Sequence, residues 1–474
     1  MICKSPPDKL KSLFFNKKCA ALSHIAPKPT AVHQRFYSLD IFRGATVALM
    51  ILVNNPGSWS HLYAPLAHAP WHGCTPTDLV FPFFLFAVGN ALSFVMPRLQ
   101  AAGQAAFLKK VFTRSLLIFM IGLLLHWSPF VKWDDGALVF KHWVDPENPN
   151  SGIRIPGVLQ RIALCYLFAS LIIYYFNING ALFTGFLLLM AYWMLCVFLG
   201  NPADPFSLAG YFGTNIDKAV LHVPHMYKGE GVPFDPEGIT STLPAIVQVI
   251  FGYMVGYYIQ QKGKSYEMLS HLFVAGCILI VTGLAWGMAF PINKKIWTSS
   301  YVVYTTGLAT MVIAVLIHLV ELKAHHKRRI EKFSPTVIAI AALAGVALII
   351  TGVVLFDKPW QSVTMAVFVT AFFITVMARN MLYRFFDVFG KNALFIFFLS
   401  GFLPRVLQLF RWADTIDENG RPRYVYAFSW FYQYVCKPLS DNPKNGSLLY
   451  ALCMIIFYWL IVYQMDRKKI YIKV

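Results

Sequence analysis

Charged side chains are scarce in this chain of 474 residues: Asp, Glu, Lys and Arg make up 13% of it, 57% is hydrophobic, and the mean hydropathy is +0.55. Soluble globular domains carry about a quarter charged residues, so this composition excludes an ordinary water-soluble fold. Also missing are a Walker A loop, a Gly-x-Ser-x-Gly elbow, a His-Glu-x-x-His pair and a dinucleotide fingerprint. ATP-driven transport and standard hydrolase chemistry therefore find no support. The eight cysteines include no Cys-x-x-Cys pair. Only Cys74 and Cys436 fall in predicted external loops, which allows a disulfide without arguing for one. No cleavable signal peptide is expected, because residues 1–38 are basic and polar and lack an apolar core.

What the chain has in abundance is apolar runs of about 18–22 residues, each long enough to cross a bilayer. They predict an all-α polytopic membrane protein with about 12 transmembrane helices, 11 being possible, in a single membrane domain over 35–474. A basic, poorly ordered cytoplasmic tail over 1–34 is expected to precede it. The predicted spans are 39–55, 79–97, 108–127, 157–176, 181–199, 240–260, 270–290, 300–320, 335–356, 361–379, 391–410 and 448–465. Lys and Arg concentrate in alternate connections, among them the tail, the Lys323–Lys332 cluster and the Arg467-Lys468-Lys469 end. The first connection of the other set, 56–78, has neither. The positive-inside rule then puts both termini in the cytoplasm and the long loops 56–78, 128–156, 200–239 and 411–447 outside. The same rule accounts for the net charge of +19 without a nucleic-acid partner. No internal repeat suggests the inverted halves of secondary transporters.

Polar and titratable groups at a membrane boundary are costly and usually functional. The segment 66–82 is the richest in them. His68 is the foremost candidate for proton chemistry, since imidazole titrates near neutrality. His61, His68 and His72 are a poor metal set: Pro65 and Pro70 prevent a regular helix from presenting them together, and no Glu accompanies them. Asp78 can cap the second span or orient a histidine as part of a relay. Asp40 and Arg43, three apart at a helix start, either form a structural ion pair or leave Arg43 as a fork for a phosphate arriving from the cytoplasm. Gln160 and Arg161 interrupt an apolar run just after Arg154 and mark an internal ion pair or an anionic ligand path. Asp235 and Glu237 precede a span, where they can bind a cationic acceptor such as an amino sugar or cap a helix. The turn holding Asn293, Lys294, Trp297 and Tyr301 offers aromatic rings for the interface belt or for stacking on sugars.

In order, Ser38-Leu39-Asp40-Ile41-Phe42-Arg43-Gly44, Val53-Asn54, His68-Ala69-Pro70-Trp71-His72-Gly73, Thr77-Asp78-Leu79-Val80-Phe81-Pro82, Arg154-Ile155-Pro156-Gly157-Val158-Leu159-Gln160-Arg161, Tyr227 with Phe234-Asp235-Pro236-Glu237-Gly238, Pro291-Ile292-Asn293-Lys294-Lys295-Ile296-Trp297 and Arg467-Lys468-Lys469 form a recognisable string. It resembles the transmembrane acyltransferase domain of the heparan-α-glucosaminide N-acetyltransferase family, and more closely that family's bacterial-type relatives. The resemblance implies transfer of acetyl from cytoplasmic acetyl-CoA to the amine of a glucosamine-type sugar or glycan on the external face of a bacterial inner membrane. It implies a catalytic group of His68, Asn54 and Asp78, with Arg43, Arg154, Gln160 and Arg161 toward acetyl-CoA. Trp71, Asp235, Glu237, Asn293, Lys294, Trp297 and Tyr301 would face the acceptor. No metal cofactor is implied, and aromatic span surfaces allow a homodimer. Two alternatives stay open from the residues alone: acyl transfer to another cell-envelope glycan, and secondary sugar transport.

Overall fold

The computed structural model describes residues 36–134, 136–322, 379–416 and 422–472. The basic tail 1–34, the Lys323–Lys332 cluster, the span expected at 335–356 and nearly all of the one expected at 361–379 lie outside those residues. The described chain is helical apart from two hairpins. Helix α1 covers Tyr37–Asn54. A 3-10 turn, Pro76–Leu79, opens α2, Val80–Ala101. Then follow α3, Gln104–Trp127, and the antiparallel hairpin of β1, Val131–Asp134, with β2, Ala137–Phe140. Next come α4, Val158–Leu199, α5, Gly213–Leu221, α6, Thr242–Lys262, α7, Tyr266–Gly287, and α8, Ser299–Ile317. Beyond them lie α9, Arg379–Lys391, α10, Ala393–Leu407, the hairpin of β3, Arg411–Ile416, with β4, Pro422–Tyr426, and α11, Pro443–Arg467.

Among the described residues, seven helices are long and apolar enough to cross a membrane, and eight if the bent α9–α10 pair counts as one span. The protein is therefore a multi-pass membrane protein. The runs at 157–176 and 181–199 are two helical segments that turn back on each other at a break, so that Arg161 and Tyr192 meet neighbouring residues, Trp297 and Ile296. They form α4, interrupted at Asn177, whose φ of 56° breaks the helix at a residue type that tolerates positive φ. The 391–410 run likewise becomes α10, turned by 80° from α9.

Small residues let the helices approach backbone to backbone, as membrane helices do. A Cβ on Gly89 of α2 would lie 2.0 Å from the Val249 carbonyl of α6, and one on Gly252 would lie 2.2 Å from that of Phe86. Gly44 of α1 and Gly390 of α9 form a second such crossing. Between α6 and α8, Gln248 Nε2 donates to Thr306 Oγ1 at 3.0 Å in a buried position, a hydrogen bond of the kind that fixes helix register in lipid. Cys74 and Cys436 are both free thiols.

The connections after α1, α3, α4 and α7 meet at one end of the bundle. Gly73 N–H donates to the Ile292 carbonyl at 2.7 Å, and Ile155 N–H to that of His225 at 3.0 Å.

Candidate active site

The loop from α1 to α2 is organised by one carboxylate. Asp78 is 1% exposed, and its Oδ2 accepts the backbone N–H groups of Ala69 and Thr75, each at 3.0 Å. The second of these bonds belongs to a capping box with Thr75, whose hydroxyl donates to the Ala67 carbonyl at 2.7 Å. Tyr301, from α8, donates its hydroxyl to the Asp78 carbonyl at 2.5 Å. The other carboxylate oxygen, Oδ1, lies 2.7 Å from Nδ1 of His68, and the His68 side chain is 41% exposed. Asp78 thus caps the turn and contacts the histidine at once.

Lys294 completes the group. Its Nζ lies 3.0 Å from His68 Nδ1, 3.4 Å from Nε2 and 3.6 Å from Asp78 Oδ1. A ring nitrogen cannot donate and accept at once. The shorter contact, to a buried anion, assigns the Nδ1 proton to Asp78 and leaves Nε2 as the acceptor. Burial holds Lys294 below its usual ammonium value against the attraction of Asp78 and Glu237. Burial also pushes the Cys74 thiol up to about 12, with the Asp78 charge adding to it, so Cys74 is no thiolate nucleophile near neutrality.

His68, Asp78, Lys294 and Asn54 line one cavity of about 280 Å3. Trp71, Arg154 and Glu237 line it too. Trp71 is anchored by its indole N–H on the Phe206 carbonyl at 2.8 Å. Arg154 grips Asp235 through Nε and Nη2 at 2.9 and 2.6 Å and reaches Glu237 at 2.5 Å. Its guanidinium also lies over the Tyr227 ring. The Arg154 charge keeps Glu237 below its ordinary value although burial works the other way. A second cavity of about 210 Å3 shares Asn54 and Arg154 with the first and is also lined by Gln160 and His126. Both polar atoms of the Gln160 amide are buried without a partner among the described residues.

Comparison with known proteins gives this arrangement a family. Residues 35–284 match the family model described as heparan-alpha-glucosaminide N-acetyltransferase, catalytic. The chain belongs to that family. It is similar to the heparan-alpha-glucosaminide N-acetyltransferase of Mus musculus, 26% identical over 61% of this chain and 50% of that protein. It is also similar to the Homo sapiens protein of that name, 27% identical over 62% of this chain and 50% of that protein. The chain thus spans about half the length of the curated relatives it matches. The family match ends before the turn that supplies Lys294.

The remaining candidates sit away from the cavity wall. Asp235 is buried behind Arg154, where it also accepts the Tyr227 and Glu237 backbone N–H groups at 3.0 Å each. Asn293 organises the 291–298 turn: its Oδ1 accepts from Lys295 and Ile296 N–H at 2.7 and 3.1 Å. Trp297 and Tyr301 are buried, with the Arg161 guanidinium 5.1 Å from the Trp297 ring. Arg161 donates to the Gly238 carbonyl at 3.1 Å and to Ser241 Oγ. Arg43 pairs with Asp40 at 3.5 Å and donates to the Gly390 carbonyl at 3.2 Å. It precedes Asn54 by three turns of α1, about 16 Å along the helix axis. Two charged wall residues carry no sequence-based role of their own, although Lys295 stands in the 291–297 motif. Glu230 and Lys295 line the cavity and pair at 2.7 Å, and no local motif links positions 65 apart.

Proposed function

We propose that this protein is a transmembrane acetyltransferase, moving acetyl from cytoplasmic acetyl-CoA to the amine of a glucosamine-type sugar on the opposite face. The observation that carries the reading is His68, held by buried Asp78, on a cavity that also carries acidic side chains. In this reading the acceptor amine attacks the thioester carbonyl. His68 Nε2 takes the amine proton, and the C–S bond breaks to release CoA, whose sulfur receives that proton. A transient acetyl-imidazole would use the same nitrogen. Asp78 holds the tautomer, and the Asn54 amide donates to the developing oxyanion, a contribution of roughly 3 kcal/mol in sites of this type.

Glu237 and Glu230, each held by a wall cation, accept from the amine and hydroxyl groups of the sugar, which binds as the neutral amine. Trp71 is a stacking face, while Asp235 keeps Arg154 in place. Asn293, Trp297 and Tyr301 support the Lys294 turn. Arg43, in the half of α1 far from Asn54, lies toward the phosphates of acetyl-CoA, and the Gln160 cavity takes its arm. Arg161, held on Gly238 and Trp297, braces the external end. The finer architecture belongs to the same proposal: a domain over 35–474 with about 12 spans, both termini cytoplasmic, in a bacterial inner membrane.

Proteoliposomes with glucosamine trapped inside and radiolabelled acetyl-CoA outside test it. Labelled N-acetylglucosamine accumulating inside supports the reading. Transfer only when both substrates share one side removes its transmembrane part, and no transfer to any amino sugar removes acetyl transfer itself.

A further inference from the structure

The two hairpins flank a third cavity, of about 320 Å3, with walls from the segment that follows α3, from the end of α10 and from both hairpins. Four cations line it: Lys132, Lys141, Arg405 and Arg411. No Asp or Glu does so among the described residues. Lys132 is neutralised by Asp145 at 3.3 Å and Asp134 at 3.7 Å. Among the described residues, the other three are held by neutral groups. Lys141 Nζ donates to the Ser128 carbonyl at 3.0 Å, and Arg405 Nη1 donates to that of Leu125. The Arg411 guanidinium lies over the rings of Trp133 and Tyr424, at 4.5 and 4.1 Å. Burial, with the Arg405 and Lys132 charges, holds Lys141 below its usual ammonium value. Positive charge gathered without a counter-ion among the described residues is costly. It also breaks the pattern of a chain whose first loop at this end of the bundle, 56–78, has no Lys or Arg.

The surroundings narrow the class of anion. In each hairpin the residue beside a cavity cation is an exposed phenylalanine: Phe140 before Lys141, 74% exposed, and Phe410 before Arg411, 70% exposed. These hairpins continue directly from α3 and α10, at the level where apolar helices end. A ligand that pairs with the cations and also covers these rings is an amphiphile with an anionic head.

We infer that Lys141, Arg405 and Arg411 form a binding site for the phosphate of an anionic phospholipid headgroup, whose acyl chains run past Phe140 and Phe410. Lys and Arg present fixed positive donors to phosphate oxygens, and Tyr424 and Tyr426 line the same cavity. The site shares Arg405 with the Gln160 cavity but none of its lining with the His68 cavity, and its occupancy does not depend on the acetyl-transfer reading.

Native mass spectrometry of the full chain, released from nanodiscs of equal phosphatidylglycerol and phosphatidylcholine, tests it. The wild type should retain phosphatidylglycerol with about tenfold preference, equivalent to roughly 1.4 kcal/mol. The Lys141→Gln/Arg411→Gln double variant should lose that preference. So should Gln408→Glu, which removes no cation but adds a carboxylate to the wall. Equal retention of the two lipids by the wild type, or an undiminished preference in monodisperse Gln408→Glu, overturns the site. Displacement of the lipid by an equal concentration of glycerol 1-phosphate overturns the lipid source in favour of a soluble phosphate.

Discussion

Asp78 and Asp235 are both 1% exposed, and both stand in loops that lead into a membrane helix. Their partners differ. Asp235 is saturated by the Arg154 fork and two backbone N–H groups, so its surroundings hold permanent charge and have no proton to exchange. Asp78 spends one oxygen on the backbone and gives the other to an imidazole. The same side chain is a rivet in one place and the anchor of an imidazole in the other. What separates the two is the partner, a permanently charged guanidinium in one case and an imidazole that can both donate and accept in the other.

If His68 is the proposed base, removing the negative charge that holds it should have the largest effect on rate. Asp78→Asn is expected to lower kcat by about a hundred- to ten-thousandfold, the range of general acid–base catalysis, with KM for acetyl-CoA little changed. Steady-state kinetics check this, and a defect confined to KM would move Asp78 to binding. At the rivet the expected loss is stability. Arg154→Met leaves two carboxylates without their cation and should cost about 3–5 kcal/mol, read from the thermal or denaturant midpoint. Adding Asp235→Asn and Glu237→Gln should recover most of that loss if pairing is the cause.

Two smaller effects concern pH. Lys294 has its ammonium value lowered by burial, so on raising the pH it loses its charge before an exposed lysine does. Activity should therefore show an alkaline limb below the ordinary lysine range, and Lys294→Arg, which keeps its charge, should shift that limb upward. An identical limb in the variant would remove Lys294 from the pH profile. Asp217, in α5, is pushed up to about 6 by burial. A carboxyl whose value is raised in the folded state binds a proton that the unfolded chain has released, so its contribution to stability falls as pH rises from about 4 to about 6. Asp217→Asn should be more stable than the wild type above about pH 6, by roughly 1–3 kcal/mol, and equal to it below about pH 4. Melting curves across that range decide it.

The membrane class and the segment around His68 were legible because they rest on local signals: apolar runs, and titratable groups set between prolines in a greasy chain. The His68–Asp78 contact spans only ten residues, so both its members stood in one motif. The Lys294–His68 contact spans 226 residues, and nothing in either motif names the other as partner. Trp297 and Tyr301 read as stacking rings because residue type carries no depth, and packing buries them. The break at Asn177, by contrast, was legible from a local signal, since the polar patch at 177–180 separates two apolar runs that the structure keeps as two helical segments. The hairpin cavity was invisible for a third reason: Lys141 and Arg411 come together only because β1–β2 and β3–β4 fold back at the ends of α3 and α10.

Whether acetyl transfer runs through His68 is addressed most directly by His68→Ala in the proteoliposome assay. No labelled N-acetylglucosamine above background is expected from a variant that still elutes as a folded protein and still binds acetyl-CoA. Turnover near that of the wild type would contradict the assignment.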